Sequence, residues 1–189
     1  MFECQKSKLK GCLEIFPTVF KDDRGSFVKV FHKPNFKSLD LEGNFVEEYY
    51  SRSFKNVIRG LHFQVPPADH TKLVYCIEGL VFDVVLDLRK DSPTYGQYAT
   101  FTLDASLANM VYIPKGMAHG FCSISNSSTL VYKTSTRGAV IDGTDNDLDI
   151  FCIDASIDND DENSSKFAGD DNIGDPCDCV NLSVGITTL

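Results

Sequence analysis

The sequence predicts an all-β protein, built as an antiparallel sandwich or barrel. Short runs rich in β-branched and aromatic residues recur along most of the chain, each of about the length of one strand. Turn residues separate these runs at intervals of roughly ten residues, a spacing typical of sandwiches and barrels. Helical periodicity is scarce, which argues against an α/β fold with a helix between successive strands.

The N-terminal part contains four candidate strands and one candidate helix. Strands are predicted at 12–20 and 26–32, on either side of the turn KDDRG, whose aspartates and glycine favour a tight reversal. The segment NFKSLDLEG, 35–43, predicts a short helix that ends at its glycine. Two further strands are predicted at 44–53 and 57–64, before a loop that contains two consecutive prolines.

The clearest element is the segment KLVYCIEGLVFDVVLDLR, 72–89. It predicts two strands that reverse at Glu78-Gly79. The second strand alternates, so Asp83, Val85 and Asp87 share one face. The remaining strands are predicted at 98–103, 109–114, 120–125 and 129–134.

Charge divides the chain into two parts. Residues 141–189 hold 13 Asp and Glu but one Lys, whereas residues 1–140 hold 17 Lys and Arg against 14 Asp and Glu. We expect 1–140 to be the folded core and 141–189 to be an acidic segment, either part of the same domain or a loosely ordered tail, with one short strand at 149–154. The mildly basic core suits a small anionic substrate, and its lack of a dense basic stripe excludes nucleic-acid binding.

Other features indicate a cytoplasmic protein. No apolar run approaches the roughly 20 residues of a membrane helix, and the start MFECQKSKLK does not resemble a signal peptide. The seven cysteines include no CxxC pair, so the sequence predicts reduced thiols and neither a zinc knuckle nor a disulfide framework.

The histidines do not form a metal-binding pattern. A metal-dependent double-stranded β-helix needs a His-x-His pair on one strand, but here Gln64 follows His62 in place of the second imidazole. The segment PKGMAH has the spacing of the second half of such a site and supplies His119 alone. We therefore expect no metal.

The same strands carry residues suited to proton transfer. His62 is a candidate general base, because an imidazole titrates near neutral pH. Lys72 supplies a cation at the start of the next strand, and Tyr132 is a candidate acid on another strand. Asp83 is a candidate to orient an imidazole. A structural role is the alternative for each residue taken singly, since strand histidines and tyrosines are often packing residues.

At these residues the sequence resembles a known family, the dTDP-4-dehydrorhamnose 3,5-epimerases, which are cupins that act on dTDP-4-keto-6-deoxyglucose. The resemblance spans 20–134 in family order. The matching stretches are FKDDRGSFVKVFH, SRSFKNVIRGLHFQ, KLVYCIEGLVFDVVLDLRKDSPTYG, VYIPKGMAHGFCSIS and VYKT. As a set, RGLHFQ, DLRKDSPTYG and IPKGMAHGF are specific to this family.

The resemblance implies a cupin-type antiparallel β-sandwich or jelly-roll barrel with a few short helices, a homodimer that works without metal or organic cofactor. It implies that His62 removes a proton beside the C4 ketone, while Lys72 stabilises the enolate oxygen. Tyr132 would return a proton from the opposite face, and Arg59 would contact the diphosphate. The residues that would line the substrate cleft are Arg24, Phe27, Lys29, Glu47, Ser51, Gln64 and His119.

The chain departs from the family pattern in several places. Lys29 stands where the family usually has glutamate, and Glu47 and Tyr49 stand where it has glutamine and asparagine. Gly138 replaces a second tyrosine, which leaves open whether one or two stereocentres are inverted. The aspartate partner of the catalytic histidine is also open among three candidates, which are Asp83, Asp170 and Asp171.

The leading hypothesis is an isomerase that inverts C3, C5 or both in a nucleotide-linked 4-keto-6-deoxy sugar. One alternative is a 3,4-ketoisomerase of the same fold, which moves the proton between neighbouring carbons. Another is a catalytically silent nucleotide-sugar-binding cupin, suggested by the divergent C-terminal third. A metal-dependent cupin oxygenase is the least favoured alternative.

Overall fold

The computed structural model describes residues 2–137. Within this range the chain forms twelve β-strands and one helix, α1, at Lys33–Ser38. The strands are β1 Glu3–Lys6, β2 Leu13–Phe16, β3 Val19–Asp22, β4 Gly25–Val28, β5 Glu47–Phe54, β6 Ile58–His62, β7 Lys72–Glu78, β8 Leu80–Asp87, β9 Tyr98–Asp104, β10 Met110–Ile113, β11 Met117–Ser123 and β12 Ser127–Thr134.

The strands form two larger sheets and a separate hairpin. One sheet has six strands in the order β1-β2-β10-β7-β12-β5, and the other has four in the order β6-β11-β8-β9. The hairpin consists of β3 and β4. Neighbouring strands pair antiparallel throughout the described range. The predicted all-β antiparallel class is confirmed, and one helix is present in the described part where a few were expected.

The main core lies where the two larger sheets face each other. Val74 and Leu130 on the six-stranded sheet belong to the same buried cluster as Val85, Leu103 and Phe121 on the four-stranded sheet. Alternation along each strand turns these side chains inward. Full burial of one such side chain stabilises the fold by about 1.5–3 kcal/mol.

A second core covers the other face of the six-stranded sheet. Phe36, the buried residue of α1, packs with Leu73, Tyr75 and Val131, which lie on that face. Pro34 stands in the first turn of α1, where its missing N–H leaves no helical hydrogen bond unmade. The six-stranded sheet is therefore buried on both faces over its centre.

The element boundaries differ from the sequence prediction where proline and local packing intervene. The strand predicted at 12–20 is interrupted at Pro17, which cannot donate to a ladder, and becomes β2 and β3. The strand predicted at 26–32 ends at Val28, and β1 was not predicted. The reversal at Gly79 is confirmed: its φ is +81°, and a Cβ there would lie 2.3 Å from the carbonyl oxygen of Ser127. The expected acidic segment 141–189, with its strand at 149–154, lies outside the described residues.

Candidate active site

Six polar or ionisable side chains meet between the two larger sheets; they are called the inter-sheet cluster. The four-stranded sheet supplies four of them and the six-stranded sheet supplies two. The members are Arg59 and His62 on β6, Asp83 on β8, His119 on β11, Lys72 on β7 and Tyr132 on β12.

A register shift brings Arg59 and His62 to one face of β6. His62 pairs with His119, and Arg59 pairs with Phe121. The three-residue step from Arg59 to His62 on β6 therefore lies opposite a two-residue step on β11. In a regular strand residues three apart point to opposite faces, and the extra residue of a bulge removes that difference. Gly60 permits the close approach, because a Cβ at this position would lie 2.5 Å from the Cα of Gly120.

Asp83 is joined to His119 within the four-stranded sheet. Its Oδ2 lies 2.7 Å from Nε2 of His119, and both side chains are buried. Burial raises the pKa of Asp83, while His119 and Lys72 oppose that rise. Among the described residues, Oδ1 of Asp83 accepts no hydrogen bond. The imidazole that Asp83 orients is therefore that of His119.

Tyr132 is held on the opposing sheet. Its Oη lies 3.1 Å from Oγ of Ser51, and its ring stacks on that of Tyr49 with centroids 5.0 Å apart. Burial is the main cause that raises the pKa of the Tyr132 phenol well above its usual range. The phenol therefore carries its proton at neutral pH.

Lys72 is a buried cation at the start of β7. Burial lowers the pKa of its ammonium group to about 8, although Asp83 opposes this change. The pKa of His62 is also lowered, first by burial and then by electrostatic interactions with Lys72, His119 and Arg59. At neutral pH the cluster therefore combines a neutral His62 imidazole with a protonated Lys72.

Arg59 extends from the four-stranded sheet to the six-stranded one. Its Nε donates to Oγ of Ser53 at 3.0 Å, and its Nη2 donates to the carbonyl oxygen of Arg52 at 3.3 Å. Glu47, at the other end of β5, accepts a hydrogen bond from Oγ1 of Thr134 at 3.3 Å. Strand β5 therefore lines one edge of the cluster from Glu47 to Ser53.

Arg24 and Phe27 belong to the β3–β4 hairpin, which is separate from the two larger sheets. Arg24 forms an ion pair with Asp22 at 2.6 Å inside the β3–β4 hairpin. Phe27 on the same hairpin is 62% exposed and its ring centroid lies 6.4 Å from that of Phe20. A pocket of about 530 Å³ is lined by residues of this hairpin alone. Two further predicted residues are the exposed Lys29 after β4 and the half-buried Gln64 after β6. Asp170 and Asp171 lie outside the described residues.

Sequence reasoning did not identify Ser53 or His70, and it noted Tyr49 only as a departure from the family pattern. Tyr49 and Ser53 alternate with Ser51 along β5 and so share its inward face, a signal that depends on knowing the strand register. His70 is buried, and its Nδ1 lies 3.3 Å from Oγ1 of Thr136. Burial lowers the pKa of His70 to about 4, with a further contribution from Lys72.

Two further observations concern the described part of the chain as a whole. Between residues 2 and 137, no three His, Cys, Asp or Glu side chains are arranged so that they could hold a metal ion. No helix in this range is long and apolar enough to cross a membrane.

The arrangement is suited to moving a proton between two faces of a carbon atom. A neutral imidazole and a neutral phenol stand on opposing sheets, so a substrate between them would meet a base on one side and an acid on the other. The buried ammonium group of Lys72 can stabilise negative charge that develops on a neighbouring oxygen.

Comparison with known proteins identifies the family. The family model described as dTDP-4-dehydrorhamnose 3,5-epimerase matches residues 6–168. The dTDP-4-dehydrorhamnose 3,5-epimerase of Shigella flexneri is 41% identical over 131 residues, which are 69% of this chain and 72% of that protein. The dTDP-4-dehydrorhamnose 3-epimerase of Streptomyces niveus is 39% identical over 128 residues, 67% of this chain and 62% of that protein.

A solved structure agrees with the sequence matches. The crystal structure of the dTDP-6-deoxy-D-glucose-3,5-epimerase from Legionella pneumophila Philadelphia 1, in complex with dTDP-4-keto-L-rhamnose, has a TM-score of 0.71 to this chain. It is 34% identical, and the match covers 74% of each chain. The resemblance found in the sequence motifs is therefore confirmed, and the chain belongs to the dTDP-4-dehydrorhamnose 3,5-epimerase family.

Proposed function

We propose that this protein inverts C3, C5 or both in a nucleotide-linked 4-keto-6-deoxy sugar, a reaction of deoxysugar biosynthesis. The observation that carries the proposal is the placement of His62 and Tyr132 on opposing sheets, with the buried cation Lys72 close enough to influence the pKa of His62. Inversion next to a ketone needs these three functions and leaves no net oxidation.

His62 performs the first step. It removes the proton from the carbon beside the C4 ketone, and the electron pair of that C–H bond moves to form an enolate. Burial and neighbouring positive charges lower the pKa of His62, which keeps its imidazole neutral and able to accept the proton. The ammonium group of Lys72 faces the enolate oxygen. It lowers the free-energy barrier to proton removal by about 3 kcal/mol, as buried donors that stabilise a developing charge do.

Tyr132 performs the second step. Its phenol transfers a proton to the opposite face of the same carbon, which restores the ketone with inverted configuration. The phenolate then regains a proton from solvent, and the imidazolium of His62 releases its own. The raised pKa of Tyr132 keeps the phenol protonated until the enolate is present.

The other predicted residues bind the substrate in this proposal. Arg59 contacts the diphosphate, and Ser51, Gln64 and His119 contact the sugar. Arg24, Phe27, Lys29 and Glu47 contact the nucleotide and the rest of the substrate. The partner of His62 is proposed to be Asp170 or Asp171, since Asp83 bonds to His119.

Proton exchange with solvent tests the proposal. The protein is incubated in deuterated water with dTDP-4-keto-6-deoxyglucose, and ¹H NMR follows C3 and C5. In the wild type we expect deuterium at each centre that is inverted. The His62→Asn variant should show neither exchange nor inversion. The control His32→Asn should behave as the wild type, because His32 is exposed and lies in another part of the chain.

Three results distinguish the alternatives. Failure of deuterium to enter C3 or C5 of this or any related nucleotide sugar would refute the epimerase proposal. A 3-keto product without inversion would identify a 3,4-ketoisomerase. Tight binding of the nucleotide sugar without turnover, unchanged by His62→Asn, would identify a silent binding protein.

We also propose a cytoplasmic homodimer, as the sequence predicted. The aromatic side chain of Phe20 on β3, exposed by 60%, provides an apolar surface that a second copy would cover. The cysteines of the described residues are free thiols, consistent with a reducing compartment. Sedimentation of the purified protein gives the oligomeric state directly.

A further inference from the structure

We propose that Tyr49 is a positioning residue, which fixes the ring of Tyr132 in the orientation needed for proton delivery. This inference rests on the proposed function, in which Tyr132 is the acid. Tyr49 stands where the family pattern has an asparagine, so the inference concerns this chain in particular.

The strand register places the two rings together. Tyr49 on β5 is the direct cross-strand partner of Tyr132 on β12, and directly opposed residues project to the same face. Their ring planes are inclined by 17°, with centroids 5.0 Å apart, which is the geometry of a stacked aromatic pair. Tyr49 is 43% exposed, whereas Tyr132 is 8% exposed, so Tyr49 lies on the solvent side of the pair.

Three contacts together restrict the ring of Tyr132. Ser51 holds its oxygen atom at 3.1 Å. The imidazole of His119 approaches the ring at an interplanar angle of 70°, with centroids 6.1 Å apart. Tyr49 is the contact that covers a ring face. A hydrogen bond at Oη still allows the ring to turn about its long axis. This rotation leaves Oη in place but redirects its O–H bond, because the phenolic hydrogen atom prefers the plane of the ring. The stacked ring of Tyr49 restricts the rotation and so keeps the O–H bond in one direction.

The two proton transfers depend differently on this restriction. Removal of the proton by His62 takes place from the four-stranded sheet and does not involve the Tyr132 ring. Delivery to the opposite face does involve it. When delivery is slow, the enolate carbon instead takes a deuteron back from the imidazolium of His62, which has exchanged with solvent. The substrate then regains its original configuration and carries deuterium without inversion.

The ratio of two products measures this effect. In deuterated water, deuterium in recovered substrate is divided by the amount of epimer formed, for Tyr49→Ala, Tyr49→Phe and wild type. We expect the ratio to rise about tenfold in Tyr49→Ala, because the O–H bond of Tyr132 is then less well oriented towards the enolate carbon. In Tyr49→Phe, which keeps the stacked ring, we expect the ratio to return towards the wild-type value. Tyr132→Phe gives the ratio of an enzyme that lacks the acid.

Tyr50→Ala is the matched control. Tyr50 is the next residue of β5, is 73% exposed and pairs with Val131, whose side chain packs on the outer face of the sheet. We expect this variant to keep the wild-type ratio. The proposal would be overturned if the ratio were unchanged in Tyr49→Ala. It would also be overturned if exchange and inversion fell by the same factor, which is the result expected when less of the protein is folded.

A spectroscopic measurement tests, independently of turnover, whether Tyr49 restricts the ring of Tyr132. In protein with ¹³C-labelled tyrosine rings, we expect the two edges of the Tyr132 ring to give separate signals in wild type and Tyr49→Phe. In Tyr49→Ala we expect averaged signals, because the ring then rotates. Identical Tyr132 signals in all three proteins would overturn the inference. Wild-type protein without exchange or inversion would overturn the proposed function instead, and the ring signals would still decide whether Tyr49 holds Tyr132.

Discussion

Oδ2 of Asp83 lies 2.7 Å from Nε2 of His119, so an aspartate on β8 holds an imidazole on β11. The exposed fractions of the two side chains are 0% and 3%. His119 in turn is the cross-strand partner of His62. The carboxylate therefore fixes the imidazole that borders the proposed base.

Replacement of Asp83 by asparagine tests this relationship. Asp83→Asn keeps the shape but places a neutral amide where the carboxyl group faces Nε2 of His119. We expect this change to weaken the buried hydrogen bond by about 1.5–3 kcal/mol. We expect kcat/KM to fall about ten- to hundredfold. Because Asp83 and His119 act as one unit, the double variant with His119→Gln should lose little more than either single variant. Additive losses, measured in steady-state assays, would contradict the pairing.

The pH dependence of the reaction follows from Lys72 and His62. The pKa of His62 lies below its ordinary value of 6.5, so activity should rise with pH in that range as the base loses its proton. Burial lowers the pKa of Lys72 to about 8, so activity should fall as pH rises through that value and the cation is lost. A bell-shaped profile of kcat/KM is the expected measurement.

A variant of Lys72 identifies the alkaline limb. Lys72→Arg retains a positive charge at every accessible pH, because the guanidinium group does not lose its proton. Whatever its absolute activity, this variant should lack the decline near pH 8. The same decline in wild type and Lys72→Arg would show that another group titrates there.

Asp87 should make stability depend on acid pH. Although burial opposes ionisation, hydrogen bonds from Arg89, Thr94 and Ser92 hold the pKa of this carboxyl well below its usual range. A lowered folded-state pKa gives stability that is present above the unfolded value of about 3.9 and is lost as pH falls through the folded value. We expect Asp87→Asn to cost about 3 kcal/mol at pH 7 and progressively less in acid.

Urea unfolding at neutral and acid pH measures this difference. Asp91→Asn is the matched control, because Asp91 lies in the loop that follows β8 and is exposed. It should change the free energy of unfolding by less than about 0.5 kcal/mol. A cost for Asp87→Asn that is the same at both pH values would contradict the assigned hydrogen bonds.

Gly60 should tolerate no side chain. At its φ of +122° any other residue is strained, and a Cβ would lie 2.5 Å from the Cα of Gly120. Gly60→Ala should destabilise the protein by about 3 kcal/mol, the sum of backbone strain and overpacking. Gly25→Ala has a similar φ of +126° and no atom within 4 Å, so it isolates the strain. Equal losses in thermal unfolding of the two variants would exclude the clash.

Local sequence features predicted much of the fold. Alternation in 80–87 predicted a strand and Gly79 predicted a reversal, and the strand β8 and the turn are both present in the structure. The prediction of one continuous strand at 12–20 was wrong. Pro17 interrupts the hydrogen-bond ladder there, and the segment forms two strands. The candidates His62, Lys72 and Tyr132 were also identified from the sequence, since their residue types and motifs mark proton chemistry.

Which candidate residues contact each other could not be identified in the same way. Asp83 and His119 are 36 residues apart, and Ser51 and Tyr132 are 81 residues apart. Each pair depends on the order and register of strands that are distant along the chain. A shift of one residue in the β5–β12 register would turn Tyr49 to the other face of the sheet, away from Tyr132.

By itself, therefore, the sequence determined most of the strand segments, since local pattern depends on residues close together in the chain. It also determined which side chains can donate, accept or carry charge. Tertiary structure decided which sheet each residue occupies and which neighbour it meets. It brought Arg59 and His62 to one face through the register shift against β11, and it stacked Tyr49 on Tyr132. The physical reason is that strand pairing is fixed by burial and hydrogen bonding over the whole sandwich. A short segment of sequence therefore does not determine which strand it will pair with.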